Sequence, residues 1–320
     1  MRLNRDNPNE KSGFTIVELL TVMSIIILLI SLLVPALNRV RRYATRVKQS
    51  AQFHSIAVAL DLFNAEYDGY PDSNGRDDDN PRQPYCGAMK LCEAMVGQDL
   101  KGFNPKSRFR RSAFVRPNAF PPTLYPQVAD TPTAQEYADN IKSRKMLLQL
   151  ENANAYMLDD IYDFNDADVQ VPGYLNYTYV LCDVYNRVTN RGTGKKIGMP
   201  ILYYRADLTK TTCPKSSDTV AAIRSNFGGY IYEVRDNQGI IDMGMPWQPG
   251  TYHPLASGVG AGMVYPKPFY DMIRDPKIPS PPTGPGDRPY RADSYILLSA
   301  GFDGQYGTSD DIFNFNKVGE

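Results

Sequence analysis

The sequence predicts an α+β fold in which one long N-terminal helix precedes a domain of short helices and strands. Three observations carry this. Residues 14–34 form an apolar run whose only polar members are Thr15, Glu18, Thr21, Ser24 and Ser31, with Glu18 the sole ionisable one. Helix-forming sequence then continues to about Tyr67, where Asp68-Gly69-Tyr70-Pro71 supplies a stop signal. Segments rich in β-branched and aromatic residues come only later, over 175–184, 201–205, 230–234 and 294–299.

The apolar run meets the roughly 20 residues, about 30 Å of helix, needed to cross a hydrocarbon core. A helix apolar on every face is not a surface helix of a soluble domain. Glu18 is the exception within it, and an intramembrane carboxylate costs on the order of 2–3 kcal/mol and is usually paired. Cleavage between Gly13 and Phe14 would place a free α-amino group one helical turn from Glu18, in the same helix or in a neighbour one step out of register. The plainer reading is a tolerated Glu near the membrane interface. Residues 1–13 are polar, with Arg2, Arg5 and Lys11 against Asp6 and Glu10, and lack the layout of an ordinary secretory signal. Beyond the run, Arg39, Arg41, Arg42, Arg46 and Lys48 outnumber the cations of that leader, and the positive-inside rule alone would put the C-terminal side in the cytoplasm. Ile56, Leu60, Phe63 and Tyr67 form one apolar stripe, extended upstream by Val40, Val47 and Ala51, so the second half of the helix has a face to dock on a domain. Pro35 is a candidate bend, Gly69 the expected left-handed cap and Pro71 the breaker.

The stretch Gly13-Phe14-Thr15-Ile16-Val17-Glu18, opening directly into a spanning helix, resembles the processing site of type IV pilins and of the pseudopilins of type II secretion systems. The resemblance implies that a prepilin peptidase cuts after Gly13 and N-methylates Phe14, and that Glu18 pairs with a neighbour's amino terminus during assembly. Pro35 falls where the family commonly has a proline, and the Gly-Tyr-Pro ending is similar to the end of the pseudopilin helix. The implied organisation is a leader over 1–13, a pilin helix over 14–68 with its transmembrane half at 14–37, an extracytoplasmic domain with long irregular insertions over 69–290, and a C-terminal strand and acidic loop over 291–320. The implied fold is pilin-like: the long helix, transmembrane then amphipathic, packed on an antiparallel β-sheet domain. The implied location is the inner membrane, single-pass, with the C-terminal domain in the periplasm, then a pilus or pseudopilus. This outweighs the charge rule in setting the orientation. Implied partners are other copies of the chain, other pseudopilins, the prepilin peptidase and the inner-membrane assembly platform.

Composition agrees with an anchored globular domain. The 320 residues leave room for a spanning helix plus one large or two small domains, and 42% apolar with 22% charged residues are globular values. Lys plus Arg and Asp plus Glu balance at 35 each, which gives no global pull toward nucleic acid. The 22 Tyr, 24 Gly and 25 Pro favour a loop-rich extracytoplasmic domain over a compact α/β enzyme. Four cysteines, Cys86, Cys92, Cys182 and Cys213, permit disulfides in an exported domain with three possible connectivities, although Cys86 and Cys92 sit too far apart on a helix to bridge each other.

Along the domain, Asp77-Asp78-Asp79 reads as a solvated turn or a calcium loop, and 85–100 as a short amphipathic helix. Residues 101–132 read as an irregular excursion whose Lys106, Arg108, Arg110 and Arg111, with Phe103, Phe109 and Phe114, form a solvated face or a nucleic-acid contact; the balanced charge favours the former. Thr133-Ala134-Gln135-Glu136 is a capping box opening a helix to about Leu150, with Ile141, Leu147, Leu148 and Leu150 as candidate core. Residues 244–289 read as a surface loop.

The second informative stretch is the run Ala300-Gly301-Phe302-Asp303-Gly304-Gln305-Tyr306-Gly307-Thr308-Ser309-Asp310-Asp311-Ile312. Calcium takes six to eight oxygens, and glycines let backbone carbonyls turn inward to supply some of them. Asp303, Asp310 and Asp311 offer the side-chain oxygens, with carbonyls near Ala300 and Ser309. An ordinary acidic turn fits the same composition. The stretch resembles the C-terminal calcium loop of major pseudopilins, which implies Ca2+ held by Asp303 and Asp310, with Asp311 matching less closely. The domain is larger than a major pseudopilin needs, so the subunit's role does not follow from the resemblance. Catalytic signatures are absent from the sequence: it holds two histidines, His54 and His253, and no Gly-x-Ser-x-Gly, phosphate loop or His-Glu-x-x-His. Two readings result, a non-enzymatic filament subunit and a membrane-anchored extracytoplasmic enzyme or receptor tethered by its helix.

Overall fold

A computed structural model of the chain describes residues 15–76, 84–109, 125, 134–164, 177–257, 265–278 and 286–317, with only the backbone of 134–137. The leader, the Gly13–Phe14 junction, Asp77–Asp79, Arg110, Arg111, Phe114 and the Thr133 cap lie outside the described residues. The chain divides into two units, Met1–Val47 and Lys48–Glu320. The described helices are α1 (Ile16–Tyr67), α2 (Gly87–Val96), α3 (Ala134–Lys142), α4 (Leu150–Ala153), α5 (Leu158–Ile161), α6 (Val220–Ser225), α7 (Gln238–Ile241) and α8 (Lys267–Ile273). The described strands are β1 (Ala155–Met157), β2 (Tyr179–Leu181), β3 (Val188–Thr189), β4 (Lys196–Ile197), β5 (Leu202–Arg205), β6 (Tyr295–Ser299) and β7 (Ile312–Phe313). They form three antiparallel sheets, β1-β2, β3-β4 and β5-β6-β7. The fold class is α+β, with a long apolar N-terminal helix.

In the first unit, α1 is long and apolar enough to cross a membrane and runs through Pro35 without interruption. Every residue from Thr15 to Ala44 is exposed. In the second unit, the last turns of α1 bury Gln49, Gln52, Phe53, Ile56, Ala59, Leu60 and Phe63. The expected upstream stripe is corrected here: Val40, Val47 and Ala51 are exposed. At 100° per residue they fall on the side of the helix away from Ile56 and Phe63. Gln49 and Gln52 take the buried positions instead, because main-chain groups there need partners: Val184 N donates to Gln49 Oε1 at 3.0 Å, and Gln52 Nε2 donates to Cys182 O at 2.8 Å. The helix ends at Tyr67 as expected, but the left-handed residue is Asp68, at φ 56°, rather than Gly69. Asp is among the few residues that tolerate this region.

β6 is the centre of the larger sheet and is buried along its whole length. Its side chains alternate between two cores, as a strand covered on both faces requires. Tyr295 and Leu297, with Tyr203 of β5, join α1's Phe53, Ile56, Leu60 and Phe63 and α2's Leu91 and Met95. Ile296 and Leu298, with Leu202 and Tyr204, join Tyr232, Ile240, Phe269, Tyr270 and Tyr306 on the other side.

α2 is buried on every face, where the sequence suggested an amphipathic helix. Its polar residues are satisfied internally, as burial demands. Lys90 Nζ reaches Asp72 Oδ2 at 2.8 Å and Asn74 Oδ1 at 3.1 Å. The Glu93 carboxylate accepts the Tyr85 hydroxyl, the Tyr125 hydroxyl at 3.0 Å and Gln98 Nε2 at 3.0 Å. Gly87 sits where a Cβ would lie 2.2 Å from Tyr203 O, so α2 begins directly against β5.

Other expectations change. Over 230–234 there is no strand: Ile231 N donates to Thr212 O and its carbonyl accepts Asp207 N, single bonds to a turn rather than a ladder. The helix from the capping box stops at Lys142, and 143–149 turn back so that Lys145 pairs with Phe103. Of its candidate core only Leu148 is buried, while Leu150 is exposed. Within 244–289, α8 buries Phe269, Tyr270 and Ile273. All four cysteines are buried and free, so no disulfide staples the domain. Burial pushes the Cys86 and Cys213 thiols up to about 12.

Candidate functional site

The head of α1 is a reciprocal capping box. Glu18 Oε2 accepts Thr15 N at 2.9 Å and Thr15 Oγ1 at 2.8 Å, and Glu18 N donates to Thr15 Oγ1 at 3.2 Å. Glu18 stands out in the sequence by its charge and Thr15 does not, although Thr-x-x-Glu before an apolar run is a helix-start signature. The box satisfies two N–H groups that a helix leaves open at its start, but both partners are uncharged. Among the described residues Glu18 has no ion pair, so its charge is hydrogen-bonded and not neutralised. The other polar residues of the run are turned on their own backbone. Thr21 Oγ1 donates to Glu18 O at 2.9 Å, Ser24 Oγ to Leu20 O at 2.8 Å and Ser31 Oγ to Leu28 O at 2.8 Å. That arrangement leaves these hydroxyl protons satisfied in a medium without water.

The acidic loop, residues 300–311, connects β6 to β7, whose pairing of Ser299 with Ile312 closes it. Gly301, Gly304 and Gly307 all have positive φ. At Gly301 a Cβ would lie 2.3 Å from Asp310 O, which explains why the two arms of the loop can meet there. Asp303 Oδ1 accepts Gln305 N at 2.7 Å, Asp310 Oδ2 accepts Asp303 N at 2.9 Å, and Asp310 Oδ1 accepts Thr308 Oγ1 at 2.6 Å. Asp311 is 3% exposed. Its Oδ2 accepts Gly307 N at 2.7 Å, while its buried Oδ1 has no partner.

The electrostatics follow from this packing. Burial holds the Asp311 carboxyl well above the usual range, and the charges of Asp310 and Asp303 add to the shift. Partial burial raises Asp303, with Asp310's charge contributing. Asp310 is also desolvated, but hydrogen bonds from Thr308 and Asp303 outweigh that and lower it. The loop therefore joins Asp303 to Asp310 and couples Asp311 to them through their field. Among the described residues no three His, Cys, Asp or Glu side chains converge as a ready metal cage. The all-oxygen donor set nevertheless suits a hard cation, and Asp311 Oδ1 is a buried carboxyl oxygen that lacks a bond.

Two buried groups anchor the loop, and the sequence carried no signal for either role. His253 receives Tyr306 N on Nδ1 at 3.3 Å, so its proton lies on Nε2, 3.0 Å from Gly244 O. Burial lowers it to about 4. Asp183 accepts Tyr185 N at 3.2 Å and Met199 N at 3.1 Å on Oδ1, and Ser299 Oγ at 2.7 Å on Oδ2, at the point where β6 enters the loop. Burial pushes Asp183 up to about 7.

Elsewhere in the second unit an open cleft of about 780 Å³ is lined by Asn74, Arg76, Phe227, Glu233, Arg235 and Tyr265, among others. Arg235 Nε pairs with Glu233 Oε1 at 3.1 Å, and its guanidinium lies 4.5 Å from the centre of the Phe227 ring. The Ser257 hydroxyl at the cleft's edge donates to Asp242 Oδ2 at 2.5 Å. The described lining holds no histidine or cysteine.

No family model, no curated protein and no solved structure matches the chain.

Proposed function

We propose that this protein is a pilin-like structural subunit, processed after Gly13, methylated at Phe14 and polymerised through α1 into a pseudopilus or type IV pilus-like filament. The observation that carries this reading is the head of α1. A single carboxylate is held in place by Thr15, has no ion pair among the described residues, and heads a helix whose residues 15–44 are all exposed. The capping box alone does not require the charge, since a glutamine at position 18 would accept the same hydrogen bonds. A filament does, because the free amine of a neighbouring Phe14 would supply the missing cation. Thr15 fixes the carboxylate before that amine arrives, which reduces the ordering lost on assembly. On this reading the chain sits in the inner membrane with the second unit in the periplasm, and its partners are its own copies, related subunits, the prepilin peptidase and the assembly platform.

The acidic loop is read as a calcium loop that pins β6 to β7. Asp303, Asp310 and Asp311 would hold the ion, with the unpartnered Asp311 Oδ1 as the oxygen that most needs it. Bound calcium would supply the positive charge that three clustered carboxylates lack. The second reading, a tethered enzyme or receptor, is favoured by the open cleft beside Arg76 and Arg235.

Glu18 separates the two readings. Under the filament reading, Glu18→Ala leaves expression and cleavage near wild type and cuts incorporation into sheared or cross-linked filaments by at least about tenfold, as expected for loss of roughly 1.4 kcal/mol or more of pairing. Mass spectrometry finds N-methyl-Phe14 at the mature terminus. Equal incorporation of mutant and wild type, or an intact Met1 terminus in cells with active peptidase, rejects the filament role.

A further inference from the structure

The cleft in the second unit presents hydrogen-bond donors that the fold leaves unused. Glu233 grips Arg235 along one edge, with Nε 3.1 Å from Oε1 and Nη2 3.1 Å from Oε2. The Phe227 ring covers one face of the same guanidinium at 4.5 Å. This bracing fixes the group and leaves its other edge, the Nη1–Nη2 fork, without an acceptor among the described residues. Arg76, on the cleft wall, is exposed, and its side chain has no hydrogen bond or ion pair among the described residues. Tyr265 is 4% exposed and lines the cleft. Its hydroxyl has no hydrogen bond among the described residues, although a buried hydroxyl ordinarily finds a partner. Burial raises the Tyr265 phenol, so it remains a donor at neutral pH, and the charges of Glu233 and Arg235 both act on it, which places it near that pair.

The carboxylates of the cleft are already occupied. Glu233 is neutralised by Arg235 and also accepts Gly228 N at 2.6 Å. Asp236 accepts Ser73 Oγ at 2.5 Å, and burial holds its carboxyl well above the usual range, which suppresses its charge. Asp242, bonded to Ser257 at the cleft's edge, accepts Ser257 N, Ser257 Oγ and Gln238 Nε2. Among the described lining residues Arg76 is left as the unbalanced cation. A guanidinium fork matches the oxygens of a carboxylate bidentately. Phe227 and Tyr265, with ring centres 6.3 Å apart, form an apolar wall that a bare inorganic oxyanion would leave uncovered. At about 780 Å³ the cleft has the size of a small-molecule site.

We propose that the cleft binds a small organic carboxylate with a flat apolar ring. The carboxylate sits on the open fork of Arg235 and accepts the Tyr265 hydroxyl, Arg76 supplies the second cation, and the ring covers Phe227 and Tyr265. The proposal goes beyond the filament reading and stands whether α1 polymerises or only tethers the second unit.

The test titrates the full chain, in micelles of an uncharged detergent, with benzoate and follows binding by saturation-transfer NMR. Benzoate should bind with a dissociation constant below about 1 mM. Benzamide, which keeps the ring and loses the charge, should bind at least about tenfold more weakly, and so should inorganic phosphate, which keeps the charge and loses the ring. Tyr265→Phe should weaken benzoate about fivefold, Arg76→Gln about threefold, and the two together at least about tenfold. Neither substitution removes a side-chain hydrogen bond or ion pair seen among the described residues, so both variants should keep the wild-type thermal melt. The proposal is overturned by benzoate binding weaker than about 1 mM, by benzamide or phosphate binding as tightly as benzoate, or by unchanged benzoate affinity in the folded double variant. Failure here would leave the Glu18 incorporation assay untouched, since that assay reads a residue of the other unit.

Discussion

Calcium added to the purified protein should raise its melting temperature, and Asp311 should account for most of the rise. The oxygen at issue, Asp311 Oδ1, is buried and without a hydrogen bond. Leaving such an acceptor unsatisfied costs on the order of 1–3 kcal/mol. An exported calcium module with a dissociation constant of roughly 0.1–1 mM gains about 1.4–2.7 kcal/mol at about 10 mM calcium. The two figures agree at about 2 kcal/mol. In a unit of this size that is a shift of roughly 4–8 °C in a thermal melt. The pH dependence has a definite sign. The folded-state pKa of Asp311 is raised, so the stability tied to its protonation is full below the unfolded value and lost as pH rises through the folded one. The calcium-free protein is therefore penalised most at neutral pH, and the calcium shift should be larger at pH about 7.5 than at pH about 5. Asp311→Asn removes the buried charge, so its calcium-free melt should match or exceed wild type, and its calcium shift should fall below about a quarter of the wild-type value. A full calcium shift in Asp311→Asn, or none in wild type, would refute the reasoning.

Three further outcomes follow from buried groups. His253 is neutral when folded, so the stability it contributes is full above the unfolded pKa near 6.5 and is lost as pH falls toward about 4, on the order of 3 kcal/mol in total. In melts taken from pH about 7 down to pH about 4.5, His253→Gln should flatten the acid side of the profile; an unchanged slope would contradict this. Glu93→Gln places an amide donor among the donors Tyr85, Tyr125, Gln98 and Ser107 and should cost about 3 kcal/mol in urea unfolding, against about 1–2 kcal/mol for Tyr125→Phe, which removes one donor and leaves Asn104 N without its acceptor. The reverse ranking would show that Glu93 is not the hub. Thiol titration should find almost no reactive cysteine in the native protein and all four in denaturant, with identical mass before and after reduction; a two-proton mass difference would reveal a disulfide.

The long helix was legible because its evidence is local. An apolar run and a terminator after Tyr67 need only neighbours within a turn. β5 and β6 were legible for a similar reason: dense β-branched and aromatic residues suit a strand covered on both faces. The segment 230–234 has the same composition, yet its backbone bonds go to a turn at Asp207 and Thr212, because which strand accepts a partner depends on residues far along the chain. α8 was hidden inside a Pro- and Gly-rich stretch, where packing of Phe269, Tyr270 and Ile273 outweighs poor helix propensity.

The sequence alone determined a membrane-length helix with one carboxylate near its start, and an acidic glycine loop near its end. Those features follow from side-chain chemistry read over a few consecutive residues. Only the tertiary structure decided that Gln49 and Gln52 face inward, that Lys90 and Glu93 are buried, and that His253 and Asp183 brace the acidic loop. A buried polar residue is specified by the partner that satisfies it, and here that partner often lies more than a hundred residues away.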